Sequence, residues 1–506
     1  MSTILEIFEN TVSKYEDKKA IASDKDSYTF GQLYDRARRE ACILQTVLSG
    51  NDNPVAVFAD KNIGTVRDFF GVLYSGNYYI PIDKALPEEK IKCIFQDAGI
   101  KTAVGKAEMS EEICKYMSDG YFIAEAGDEY HLYKISAGRT DKVQSININR
   151  IAGESLEGIK AENISDDNLM YMVYTSGSTG VPKGVIKNHR AMASFVKAYI
   201  KTFEIKADDI LGNQTPFFFD ASAKDIYIMS SAGATLEIMP EEYFILPYRL
   251  IEYMNEKKVS VISWVPSALC VVTKLNTFSA IKPEYLRKVF FVGEVFPIKE
   301  LRKWKNELPE VNFVNLYGSS EIAGISCYYR VGDIPEDATA IPIGRPLENC
   351  EVFLEDGEVC VSGDSLALGY YNDREKTDKV FEKRDGRIVY HTGDIAYYDN
   401  DGNIVFSTRK DYQIKHMGRR IELGEIESIA QKTDEIAKCC CLYDSEKQKI
   451  VMFVETDNKE LKPIDIKRVL KQVLTEYMVP AKVVILDKLP VNANGKTDRN
   501  ILKQQL

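Results

Sequence analysis

The run Tyr174-Thr175-Ser176-Gly177-Ser178-Thr179-Gly180-Val181-Pro182-Lys183-Gly184 gathers hydroxyls, glycines and one cation into a single stretch. Glycines let backbone N–H groups crowd an anion, Thr175, Ser176, Ser178 and Thr179 add donors, and Lys183 adds charge. This is the chemistry of a loop that handles phosphate. The stretch is not the nucleotide loop G-x-x-x-x-G-K-[ST], because Gly184 rather than a hydroxyl residue follows Lys183. A Ser/Gly/Thr string alone would equally make a surface turn. The apolar run before it (169–173) and the attached Pro-Lys-Gly favour the phosphate loop.

Asp220 is the second chemical marker, closing the aromatic string Phe217-Phe218-Phe219. A carboxylate there is costly to bury without a cation, so it calls for a positive ligand or partner. If the stretch is helical, Lys224 stands four residues on and could be that partner. Metal chemistry has less support: the ten cysteines include no C-x-x-C, and the four histidines stand far apart at 131, 189, 391 and 416. Spacing therefore argues against metal ligation by sulfur. The run Cys439-Cys440-Cys441 reads as lining a buried strand.

These groups need a scaffold, and the 506 residues suffice for one large domain and a smaller one. Hydrophobic residues make up 45% and charged residues 28%, a globular composition rather than a disordered one. The net charge of −11 disfavours nucleic acid and anionic lipid as partners. No apolar run is long enough to span a membrane, and the N-terminal residues do not read as a secretory signal, so a cytoplasmic protein is expected. Up to about residue 165, short apolar runs such as 54–60 and 78–83 alternate with helical stretches. The pattern returns at 259–267 and 288–297, which predicts an α/β architecture with much parallel sheet and ligands at strand ends. From about 340 the texture becomes antiparallel, with Asp-Gly turns at 356/357 and 401/402. After 411 it reads as helix (418–434), strand and helix again, an α+β unit.

Six further segments follow the phosphate loop in order: FFFDASAKDIY (217–227), NLYGSSE (315–321), GEVCVSGDSLALGYYND (357–373), YHTGD (390–394), TRKDYQIKHMGRRIELGEIE (408–427) and NANGKTDR (492–499). With that loop they resemble, over almost the whole chain, the adenylate-forming superfamily of acyl-CoA synthetases, luciferases and adenylation domains of nonribosomal peptide synthetases. The resemblance implies an N-terminal domain (1–410) of two mixed sheets with packed helices and a small β-barrel, and a small mobile α+β C-terminal domain (411–506). It implies that a carboxylate attacks the α-phosphate of ATP, expelling pyrophosphate, and that a thiol then attacks the acyl adenylate, expelling AMP. Both steps develop negative charge that fixed cations and donors can hold. By the same resemblance Lys496 bridges carboxylate and phosphate, Lys183 and Ser320 face phosphate, and Glu321 ligates Mg²⁺. Tyr317 stacks on adenine with Asn315 nearby, Asp394 takes the ribose hydroxyls and Arg409 assists. Asp411 is the hinge about which the C-terminal domain rotates between the half-reactions, and Gly418 lines the thiol tunnel. The chain departs from the usual pattern at Ser319-Ser320, His391 and Thr408.

In resembling enzymes that activate amino acids, the place of Asp220 pairs with the substrate ammonium, which favours an amino acid over a fatty acid. The implied pocket comprises Asp220, Ala221, Lys224, Ser263, Phe290, Val292, Leu316, Gly324 and Ile325. Lys224 would suit a side-chain carboxylate, making glutamate one candidate. FFVGEVFP is similar to a segment of free-standing D-alanine:carrier-protein ligases, making D-alanine another. The expected acceptor is the phosphopantetheine thiol of a carrier protein acting in trans. An acyl-CoA synthetase and a silent ATP-binding regulator are the competing classes.

Overall fold

The computed structural model describes residues 2–175, 182–336, 338, 340–410, 413–431, 436, 438–456, 458, 460–490 and 497–506. Among these the chain forms two nine-stranded mixed sheets, a five-stranded sheet, a two-stranded hairpin and a three-stranded sheet. The expected boundary residue Asp411 lies outside them.

Each large sheet is built on the apolar runs seen in the sequence. In one, Val261–Trp264, Lys288–Val292 and Asn312–Tyr317 lie side by side in parallel, with Ile262 beside Val289 and Val289 beside Phe313. In the other, Pro54–Phe58 runs parallel to Tyr78–Ile82 and Thr102–Lys106. Near-continuous apolar strands need cover on both faces. The largest core cluster accordingly joins residues of both sheets with the helices Ile4–Tyr15, Phe30–Gln45, Ile63–Tyr74, His189–Phe203 and Asp220–Ala232 sandwiched between them. Every residue of Ile63–Tyr74 is buried, as a helix closed in on all sides requires. Thr3 with Glu6 and Thr29 with Gln32 form reciprocal capping boxes that start two of these helices. The outer faces are covered by separate clusters: Pro247–Glu256, Pro266–Lys274 and Ile298–Glu307 on the first sheet, Glu88–Asp97 on the second.

The structure differs from the expectation in three places. Asp119–Ala126, Glu129–Ser136 and Arg139–Asn147 form an antiparallel edge to the second sheet, inside a stretch read as helix–strand alternation. Arg419–Glu422 is a strand, paired with Gln413–His416, and the helix begins only at Leu423. The expected barrel is a sheet ordered Cys350–Glu355, Glu358–Gly363, Arg387–Tyr398, Phe381–Arg384, with Ile404–Arg409 on the far half of the long strand. No ladder among the described residues closes it. The Asp-Gly turns do connect hairpins, with Asp356 and Gly357 both at positive φ. The three cysteines lie buried on Lys438–Asp444. No helix among the described residues is long and apolar enough to cross a membrane.

Candidate active site

Tyr317 ends a central strand, and its hydroxyl donates to Asp394. Asp394 lies directly opposite Arg409 in the antiparallel ladder, and that guanidinium takes its other carboxylate oxygen. Burial and then the Asp394 charge push the Tyr317 phenol well above its ordinary value, so it remains a donor. Two sequence candidates read separately as adenine and ribose contacts are thus one hydrogen-bonded unit. Asn315, two residues earlier on the same strand, gives its amide to the Pro342 carbonyl at 2.8 Å. Ser320 is half-buried in the turn that follows.

Lys183 opens the strand Lys183–Asn188 directly opposite Thr175, so antiparallel strands flank the segment expected to handle phosphate. Ser176, Gly177, Ser178, Thr179 and Gly180 lie outside the described residues. The Thr175 Oγ1 is buried with no hydrogen-bond partner among the described groups. The Lys183 ammonium is 3.8 Å from Glu321 and 4.6 Å from the centre of the Tyr370 ring. Desolvation lowers its pKa, and neighbouring Arg420 lowers it further.

Glu321 is fully buried. It accepts from Tyr370 at 2.8 Å, and Arg420 reaches its two oxygens at 2.8 and 2.6 Å. Burial alone would raise its pKa, but Arg420 and then Lys183 outweigh it and hold the carboxyl well below the usual range. A buried, ionised, hard oxygen donor fits one protein ligand of Mg²⁺. In this arrangement Arg420 already holds that charge.

Arg420 comes from the hairpin Gln413–His416/Arg419–Glu422, which lies across the site. Lys415 donates to the Gly318 carbonyl at 3.1 Å and sits 5.9 Å from the Tyr317 ring centre. Met417 and Gly418 make the two-residue turn, both at positive φ. The Gly418 N–H donates to Glu294 at 2.9 Å, and a Cβ on Gly418 would meet the Val265 side chain at 2.6 Å. Gly418 is therefore pressed against the end of a parallel strand of the first sheet. Lys90 to Glu425 at 2.7 Å adds a second tie between the hairpin's helix and the N-terminal domain. Asp411 and Lys496, the expected hinge and bridging lysine, lie outside the described residues.

Asp220 is the first residue of Asp220–Ala232. Its Oδ1 accepts from the Tyr171 hydroxyl at 2.9 Å and from Lys187, whose side chain is wholly buried. Lys224 is not its partner. The Lys224 ammonium is taken by Asp225 and, at 2.8 Å, by Ser263, while Asn213 holds the other Asp225 oxygen at 3.1 Å. The expectation that Lys224 is open to receive a substrate carboxylate is therefore corrected: its charge is matched by its own neighbour. Behind this group lies a cavity of about 10 Å³, the room one water needs, lined in part by Tyr199, Asp225, Val261 and Ser263.

Ser263, Phe290, Val292 and Leu316 sit on neighbouring strands of the first sheet. Phe290 is fully buried, its ring 4.9 Å from Phe203, so it packs as a floor rather than an open wall. Gly324 has φ +74° and would drive a Cβ into the Phe195 ring at 2.3 Å. Ile325 is buried and Ala221 exposed.

Sequence reasoning passed over Tyr171, Lys187, Glu294, Tyr370, Lys415 and Arg420. Tyr370, Lys415 and Arg420 stood inside quoted segments, and a lysine directly after the apolar pair Val185-Ile186 was a visible signal for Lys187. Glu294 stood inside the quoted segment FFVGEVFP but was given no role.

Comparison with known proteins places the chain in a family. The family model "AMP-binding enzyme" matches residues 8–371, and "AMP-binding enzyme C-terminal domain" matches 425–496. The chain is 32% identical over 517 residues to bacitracin synthase 3 of Bacillus licheniformis, covering 99% of this chain but 8% of that protein. It is 29% identical to the L-proline--[L-prolyl-carrier protein] ligase of Pseudomonas fluorescens, each covered end to end. In structure it is similar to the Vibrio cholerae adenylation domain AlmE, crystallised with glycyl-adenosine-5'-phosphate. The TM-score is 0.82 at 22% identity, over 99% of this chain and 97% of that one. The phosphate-loop strands, the Tyr317–Asp394–Arg409 unit and the seated C-terminal hairpin thus occur in a chain that belongs to the AMP-binding enzyme family.

Proposed function

We propose that this chain is an ATP-dependent ligase that converts an amino acid with an uncharged side chain to its aminoacyl adenylate and passes it to the phosphopantetheine thiol of a carrier protein. The observation that carries the reading is the seating of the hairpin 413–422 across the site. Arg420 holds Glu321, Lys415 holds Gly318 and Gly418 meets Val265 and Glu294. An arrangement that presses a backbone turn against the acyl pocket suits delivery of a slender thiol there. The first half-reaction would need the hairpin withdrawn, with Lys496 brought in by rotation about Asp411.

In the first step a carboxylate oxygen bonds to the α-phosphorus and pyrophosphate leaves. In the second the thiol sulfur bonds to the acyl carbon and AMP leaves. Lys183 and the loop 175–180 would hold phosphates, and Tyr317, Asp394 and Arg409 the nucleoside. Mg²⁺, held by Glu321 once Arg420 is displaced, would neutralise phosphate charge. Asp220 would receive the substrate ammonium on its second oxygen. Because Lys224 and Asp225 neutralise each other, the pocket offers a side chain no net charge, which favours D-alanine-like or polar neutral substrates over glutamate. The name of the matched Pseudomonas ligase, which loads a carrier protein, supports a carrier thiol over coenzyme A.

The test is amino-acid-dependent ATP/pyrophosphate exchange across D- and L-amino acids, with acetate, a medium-chain acid and benzoate as controls. Exchange with one or a few neutral amino acids is expected. Exchange driven by simple acids would turn the reading to an acyl-CoA synthetase. Silence with retained ATP binding would turn it to a regulator.

A further inference from the structure

Away from this site, the outer face of the five-stranded sheet brings together side chains far apart in sequence. Cys360 and His391 are direct cross-strand partners, and Glu355 and Glu358 flank the Asp-Gly turn beside them. One ligand atom from each of Glu355, Cys360 and His391 lies within 4.8 Å of the other two. The His391 Nδ1 is 3.5 Å from the Cys360 Sγ and 3.4 Å from a Glu358 oxygen. In a tetrahedral zinc site, bond lengths of about 2.3 Å to sulfur and about 2.0–2.1 Å to nitrogen and oxygen give S···N and N···O edges of about 3.6 and 3.4 Å. A Cys–His hydrogen bond has a similar separation, but it does not bring two carboxylates to the same imidazole.

The charge balance points the same way. Glu355, Glu358 and Glu382 surround the imidazole, whereas the cations pairing with them are Arg384 on Glu355 and Glu382, and Lys410 on Glu358. Three carboxylates against two side-chain cations give this face a local excess of negative charge that suits a bound cation. The far ring nitrogen, Nε2, faces Glu382 at 3.2 Å, the outer-shell carboxylate that typically fixes the tautomer of a ligating histidine and leaves Nδ1 free to bind.

We propose that Cys360, His391 and Glu355, with water as fourth donor, form a binding site for a borderline-soft divalent cation of the Zn²⁺ class. The mixed S, N and O set suits zinc or cobalt rather than Mg²⁺ or Ca²⁺. Uptake of the ion replaces the Cys360 thiol proton with a metal–sulfur bond and releases that proton to solvent. Glu358 accepts from the Gly393 N–H at 2.7 Å and from Lys410, which ties the site to the end of the strand Ile404–Arg409.

Co²⁺ titration of the full chain tests this. One equivalent should produce a near-ultraviolet thiolate-to-cobalt charge-transfer band with tetrahedral visible bands, all removed by added Zn²⁺. Cys360→Ser should abolish the charge-transfer band. Glu382→Gln changes a half-exposed carboxylate and leaves the three protein donors in place, and it should weaken Co²⁺ binding by about 10–100-fold. Absence of a thiolate band in the unaltered chain would overturn the site and leave a hydrogen-bonded cluster only. So would a band that survives Cys360→Ser, since it would belong to another of the cysteines.

Discussion

Asp220 finds its cation on a neighbouring strand rather than on its own helix. Lys187 projects from a buried strand, and with Tyr171 it fixes one oxygen of Asp220 while the other remains for a ligand. Lys187 is therefore a positioning residue for the proposed ammonium receptor. Removing one member of such a buried pair leaves an uncompensated charge and destabilises by about 3–5 kcal/mol. Lys187→Met should lower the urea midpoint accordingly, and adding Asp220→Asn should recover most of that loss in a double-mutant cycle. Additive losses would show that the two residues do not interact.

At the scale of the element, the hairpin 413–422 combines a steric fit with charge pairing. Its turn works because Gly418 has φ +75° and no Cβ, so the backbone can lie against Val265 while its N–H reaches Glu294. Gly418→Ala would place a methyl 2.6 Å from Val265 in a backbone region that suits glycine. Under the proposed function, carrier loading should fall by at least about tenfold, equivalent to about 1.4 kcal/mol in the barrier. Pyrophosphate exchange, which does not need the hairpin in this position, should change little. Equal loss in both assays would mean that the turn serves stability rather than thiol delivery.

Across the whole molecule the two large sheets are joined by their shared helices and by a buried clasp. Lys61, just beyond the strand Pro54–Phe58 of one sheet, donates to the carbonyls of Gln214 and Met239 at the strand ends of the other, each at 2.9 Å. Desolvation lowers its pKa to about 8. Between pH 8 and its unfolded value of about 10.4, the unfolded chain therefore binds more protons at this lysine than the folded one. The penalty for burying the charge is present in full below pH 8 and is relieved as pH rises through that window. Relative to Lys61→Met, the native chain should gain about 2 kcal/mol between pH 8 and pH 10 by chemical denaturation. A constant difference would show that Lys61 titrates normally.

The chain's own order of residues was enough for much of this. Apolar runs of strand length placed Lys288–Val292 and Asn312–Tyr317, and the Asp-Gly pairs marked their hairpins. Ordered segments announced the family, because local propensity and short motifs act within a few residues of one another. The partners had to come from the tertiary structure. Lys187 rather than Lys224 meets Asp220, Arg420 holds Glu321 across 99 residues of chain, and Cys360 and His391 meet only because two strands pair in one register. Burial makes each of these ionic choices consequential. A charge removed from water must be matched by whichever group the fold brings within reach, and sequence spacing does not encode that distance.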